Sequence, residues 1–173
     1  MKPVLSVLIA SMALLLFACV PEPASDQSFE SIEGFACIPA GQEPETAQVT
    51  HIADGDTITV EMNGERYRVR FIGINTPELD SQENDLAEDA KTLNAQMVKD
   101  QKVLLYRDTS DTDQYDRLLR YVVAGDTFVN YQLVAQGAAR ARDYPPDTAC
   151  SETFYTAQQA AKQDLSGIWT ENN

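Results

Sequence analysis

The chain has 173 residues, 43% of them hydrophobic and 23% charged, which suits one packed domain and excludes a chain that is disordered throughout. Its formal net charge is −14, from 27 acidic and 13 basic side chains. That balance excludes a protein that holds nucleic acid by neutralising phosphates over its whole surface, and leaves a local cationic site inside an acidic shell.

Residues 1–18 read as a signal peptide. Lys2 supplies a minimal positive start, and residues 4–17 are almost wholly apolar. This run is short for a membrane-spanning helix and right for the core of an export signal. Leu16, Phe17, Ala18 and Cys19 resemble the bacterial lipobox, with a small residue before a cysteine that takes up lipid. Phe17 is bulkier than usual there. The expectation is an exported lipoprotein of the cell envelope, anchored to a membrane through Cys19. Cleavage nearby without lipidation is the alternative.

Residues 19–46 are rich in Pro, Ser, Glu and Gln and read as a tether and docking segment, with Phe35, Cys37 and Ile38 able to dock on the domain. Cys37 and Cys150 are the cysteines left after Cys19. In an oxidising compartment an even remainder reads as a disulfide. Two buried free thiols are the alternative. Neither has a CxxC partner or a neighbouring histidine, which argues against a metal site there, and with His51 the sole histidine a histidine-rich centre is excluded.

Residues 47–173 form the expected domain. Residues 48–53 are a short β-prone run, followed by the turn signal Asp54-Gly55 and alternating residues 57–61. Asn63-Gly64 marks a hairpin, and residues 67–72 alternate again. Over residues 84–99, Leu86, Ala87, Ala90, Leu93 and Met97 recur at helical spacing. Two more strands, 102–107 and 118–124, flank a polar loop. A short helix spans 128–136, stopped by Gly137, and a last helix spans 151–164, with Ser151 as its expected N-cap. The class is α+β, mainly β with about three helices. Five strands with a helix between the third and fourth is the order of an OB-fold barrel.

The chemistry concentrates in three short segments: Asp54 to Thr57, Arg70 to Glu78, and Asp113 to Arg117. They hold hard oxygen ligands, which suit calcium or magnesium, and arginines, whose forks match phosphate oxygens. Each segment has a plainer reading on its own, as a hairpin turn, a helix start or ordinary surface charge. Together they suggest phosphoryl chemistry.

These motifs, in this order, resemble the staphylococcal nuclease (thermonuclease) family from about residue 47 to Trp169, including Phe128-Val129-Asn130, residues 133–137 and Gly167-Ile168-Trp169. The resemblance implies an OB-fold, calcium as cofactor, and hydrolysis of DNA or RNA. Carried over by position, Asp56 is a calcium ligand and Thr76 offers its backbone carbonyl. Arg70 and Arg117 clamp the scissile phosphate and stabilise the transition state. Glu78 positions or deprotonates the attacking water. Tyr115 and Tyr144 contact substrate. Two positions depart from the family. Asn75 stands where a second metal aspartate is usual, so calcium should bind more weakly, and Gln114 stands where a lysine is usual. The partners implied are nucleic acid as substrate and a membrane through the lipid; the expectation is a monomer. The competing reading is a catalytically inert OB-fold module that binds nucleic acid or protein at the cell surface. Arg70, Glu78 and Arg117 together favour the enzyme, because a pure binder has no need of this trio.

Overall fold

A computed structural model describes residues 31–79 and 82–170. The export signal and Cys19 lie outside the described residues. Strands β1 (Glu45–Ile52), β2 (Thr57–Met62) and β3 (Glu65–Phe71) form an antiparallel meander, and β5 (Lys102–Tyr106) and β6 (Leu118–Ala124) follow helix α1 (Asn84–Val98). The sheet runs β3-β2-β1-β5-β6 and closes through a parallel pairing of β3 with β6. This is the expected five-stranded OB-type barrel. A two-residue strand, β7 (Thr127–Phe128), adds to β6, and β4 (Ile74–Asn75) pairs with β8 (Arg140–Ala141). Helices α2 (Val129–Ala135) and α3 (Ser151–Gln163) complete the domain.

The period of two in the strands drives closure. Ile58, Val60, Val69, Phe71, Val103 and Leu105 point inward and are almost fully buried. The rings of Tyr121, Phe128 and Phe154 meet edge-on or tilted, with centroids 5.7–6.2 Å apart, and weld α2 and α3 to the barrel. Strand β1 begins at Glu45 rather than residue 48, because residues 45–48 pair with 102–105 of β5. Its register shifts between Val49 and His51, a bulge that helps a short strand bend around a small barrel.

Cys37 and Cys150 are joined by a disulfide, with Cα atoms 4.9 Å apart across a separation of 113 residues. A loop of that length restricts the unfolded chain and contributes up to about 4–5 kcal/mol. The docking expected of this segment is present: Ile32 and Ile38 are buried, and Phe35 meets Tyr106 edge-on at 5.5 Å. One local expectation is corrected. Ser151 is the first residue of α3, after Cys150, and its hydroxyl donates to Asp143 at 2.5 Å instead of capping the helix.

Candidate active site

One end of the barrel carries a cleft of about 440 Å³. Four segments build it: the β1–β2 turn, the chain leaving β3, the β5–β6 loop and the approach to α3. The β1–β2 turn is held by its own side chains. Asp54 Oδ1 accepts from the Asp56 amide at 3.0 Å, and the amides of Ala53 and Asp54 both donate to the Thr57 carbonyl. Gly55 is required here by contact: a Cβ would come within 2.7 Å of Thr76 Cγ2 and 2.8 Å of Ala90 Cβ. The absent side chain lets the turn lie against Thr76 and aims Asp56 at the cleft floor.

Asp56 is only 5% exposed. Its Oδ2 accepts from the Thr76 amide at 2.9 Å and the Thr76 hydroxyl at 3.1 Å, and pairs with Arg70 Nη2 at 3.1 Å. Burial pushes the carboxyl above its ordinary range, while Arg70 and the Thr76 donors pull the other way. Arg70 is itself fastened to the backbone, donating to the carbonyls of Phe71 at 2.8 Å and Ile74 at 2.9 Å. Nη2 also donates to Asn75 Oδ1 at 3.1 Å. The carboxylate of Asp56 and the amide oxygen of Asn75 thus converge on one cationic nitrogen. Gly73 makes this return possible: its φ is +76°, and a Cβ there would lie 2.6 Å from the Phe154 ring.

The opposite wall carries Arg117. Asp113 Oδ1 accepts the amides of Tyr115 and Arg117 at 2.9 and 3.0 Å, and Oδ2 accepts Arg117 Nε and Nη2, both at 2.7 Å. Burial alone would raise the Asp113 carboxyl, but these amides and the guanidinium hold it below the ordinary value. Arg120, only 2% exposed, anchors the same loop through Asp111 at 2.8 Å and Glu45 at 2.7 Å. Asp147 accepts the amides of Thr109 and Ser110 at 2.9 and 2.7 Å, and Asp108 accepts the Tyr121 hydroxyl and the Ala149 amide. These bonds lock the β5–β6 loop to the approach of α3.

Arg70, Glu78, Arg117, Tyr115, Tyr144, Asp56 and Asn75 all line this cleft. Thr76 sits beneath its floor, 3% exposed, with its carbonyl accepting from Asn75 Nδ2 at 3.1 Å. Tyr144, whose register is poor in the sequence, is fixed by a hydroxyl 3.3 Å from Asn75 Oδ1 and by Arg70 at 5.9 Å from its ring centroid. Three residues escape a sequence reading. Asp54 lines the cleft but reads as a turn residue; Asp147 lines it from beyond a proline pair; and Arg142 stacks on the Tyr144 ring at 5.3 Å. Only tertiary contacts reveal them.

Among the described residues, no group of three or more His, Cys, Asp and Glu side chains is arranged to hold a metal. The fit of calcium therefore rests on a mixed set: one carboxylate from Asp56, the amide oxygen of Asn75 and the Thr76 carbonyl. Two of these oxygens already meet at a positive group, the chemistry a hard cation requires.

Comparisons with known proteins match most of the domain. Residues 68–171 match the family model described as staphylococcal nuclease homologue. The chain is 34% identical over 128 residues to a thermonuclease of Staphylococcus intermedius, covering 72% of this chain and 76% of that protein. It is 33% identical over 129 residues to a thermonuclease of Staphylococcus hyicus, covering 73% and 76%. With endonuclease YncB of Bacillus subtilis the identity is 37% over 124 residues, covering 69% and 59%.

Proposed function

The chain belongs to the staphylococcal nuclease family and is a nuclease, and from that premise we propose that it is a calcium-dependent enzyme of the cell envelope. The single observation that carries the mechanism is that Arg70, Arg117 and Glu78 line one cleft over the oxygen floor of Asp56 and Asn75. A phosphodiester seated between the two guanidinium groups meets donors from both walls. As water attacks phosphorus, a P–O bond forms, the ester P–O bond breaks with its leaving oxygen taking a proton from solvent, and charge builds on the non-bridging oxygens. Arg70 and Arg117 stabilise that charge. Glu78 orients the water and takes its proton. Tyr115 and Tyr144 give the flanking sugar and base a surface to lie on.

Asp56, Asn75 and the Thr76 carbonyl would hold calcium. Bound there, it would supply positive charge against the charge that develops on the phosphate. Hydrolysis of single- and double-stranded DNA and RNA, measured with calcium, magnesium or chelator, tests this. We expect calcium to support turnover and chelator to abolish it; full activity in excess chelator contradicts the metal assignment.

One observation favours the inert-module reading. Both arginines are already ion-paired within the protein, and Asn75 carries no charge. Asp113 holds Nε and Nη2 of Arg117, so a phosphate meets its remaining donors or displaces that carboxylate. Loss of turnover at Glu78 separates the readings, since an inert module gives that carboxylate no role.

The envelope assignment rests on residues 1–18 as signal, Cys19 as lipid site, a tether from residue 19 whose end docks on the barrel, and a monomeric catalytic domain whose first strand begins at Glu45. The Cys37–Cys150 bond suits the oxidising compartment this implies. Cys19→Ala should move the protein from the membrane fraction to the soluble one; unchanged membrane retention contradicts the anchor.

A further inference from the structure

This inference rests on the nuclease reading and concerns how far the substrate site extends beyond the cleft. Along β3, Tyr67, Val69 and Phe71 pack into the barrel, while Arg66 and Arg68 are exposed and Arg70 reaches the cleft. The three arginines therefore share the outer face of one strand. Alternate residues there stand about 6.6 Å apart, from a rise of about 3.3 Å per residue.

The register sets the inner end of this row beside the catalytic pair. In the parallel ladder Val69 lies opposite Leu118 and Arg70 opposite Leu119. The ladder begins at Val69 and Leu118, so Arg68 lies just outside it, on the side from which Arg117 leads into β6. On the other side Arg68 faces Thr59 and Arg66 faces Glu61. The nearby Glu65 carboxylate accepts the Tyr67 hydroxyl at 2.6 Å.

The chain carries a formal charge of −14, and its other arginines mostly find carboxylates. Arg70, Arg107, Arg117, Arg120 and Arg140 each form an ion pair. Arg66 and Arg68 form none among the described residues, although Glu61 faces Arg66 in register. An acidic protein thus keeps two adjacent arginines available on the strand that leads out of its cleft. A row of guanidinium forks at strand spacing matches a row of phosphates on an extended nucleic-acid strand.

We propose that Arg68 and Arg66 form an outer phosphate track: with the scissile phosphate on Arg70, they engage the next phosphates of the same single strand. The site is then built for oligonucleotides, and the row of arginines supplies locally the attraction that the net charge denies the protein as a whole.

The test compares kcat/KM for a single-stranded oligonucleotide with that for a mononucleotide nitrophenyl phosphodiester, which has no neighbouring phosphates. In R66Q/R68Q the oligonucleotide-to-mononucleotide ratio should fall about 10-fold, mostly through KM, and the salt slope should shrink by about 1.4 for two lost phosphates. R66K/R68K should keep the slope, which separates lost charge from a disturbed strand. A control pair on α1 and its C-cap, K91Q/K99Q, should keep the wild-type ratio. An unaltered ratio and slope in R66Q/R68Q would overturn the track and leave these arginines a solvated surface. If the wild type hydrolyses neither substrate, the nuclease reading fails instead. Equilibrium binding of the oligonucleotide then decides the track: a shrunken salt slope in R66Q/R68Q upholds it, and an equal slope overturns it.

Discussion

The two walls of the cleft hold their arginines in different ways. Arg70 lies in a strand, its side chain 11% exposed, with two backbone carbonyls, Asn75 and the buried Asp56 as acceptors. Arg117 ends a loop, 21% exposed, and relies on Asp113 with the exposed Tyr115 ring 5.5 Å away. One arginine is part of the barrel's own bonding; the other is lent by a loop that the barrel anchors from behind. A variant of the first disturbs fold and chemistry together, whereas a variant of the second isolates chemistry.

The largest effect is expected at Arg70. Arg70→Ala leaves a buried carboxylate without its partner, a loss of about 3–5 kcal/mol on the scale of broken buried pairs. Urea unfolding should show this alongside abolished hydrolysis; a stability equal to wild type would erase the difference between the walls. Arg117→Ala should lower turnover by about 10²-fold or more, while stability falls less than in Arg70→Ala, because Asp113 keeps two backbone amides as donors. A melt as low as that of Arg70→Ala would show that the loop, too, is structural.

Much of the fold was legible because its strands alternate and its turns carry Asp54-Gly55 and Asn63-Gly64. The short ladder of Ile74-Asn75 with Arg140-Ala141 was not, since two residues carry no period. Asp56, Arg70, Asn75, Glu78, Tyr115 and Arg117 were legible because they fall in three compact segments. What holds them was not: Arg120 reaches Glu45 and Asp147 reaches Thr109 and Ser110 across long stretches of chain, and no local pattern announces such partners. Ser151 misled for a related reason, because Asp143 claims the hydroxyl that a cap would use. Arg66 and Arg68 look like ordinary strand polarity until the same strand is seen to carry Arg70 into the cleft.

A smaller effect sharpens the floor between the walls. Asn75→Asp adds a charge where Arg70 Nη2 and the Tyr144 hydroxyl already donate. Calcium titration should shift to lower concentration, since ligand charge tunes affinity. An unchanged midpoint would show that residue 75 is not a ligand.

The central claim is that this cleft performs hydrolysis rather than mere binding, and Glu78 tests it most directly. Hydrolysis rate and equilibrium oligonucleotide binding should be measured for wild type and Glu78→Gln, with folding confirmed by an unaltered melt. The predicted result is a fall in turnover of about 10²-fold or more with affinity equal or slightly higher, because an acid–base group is lost and a negative charge removed. Wild-type turnover in a folded Glu78→Gln protein would contradict it.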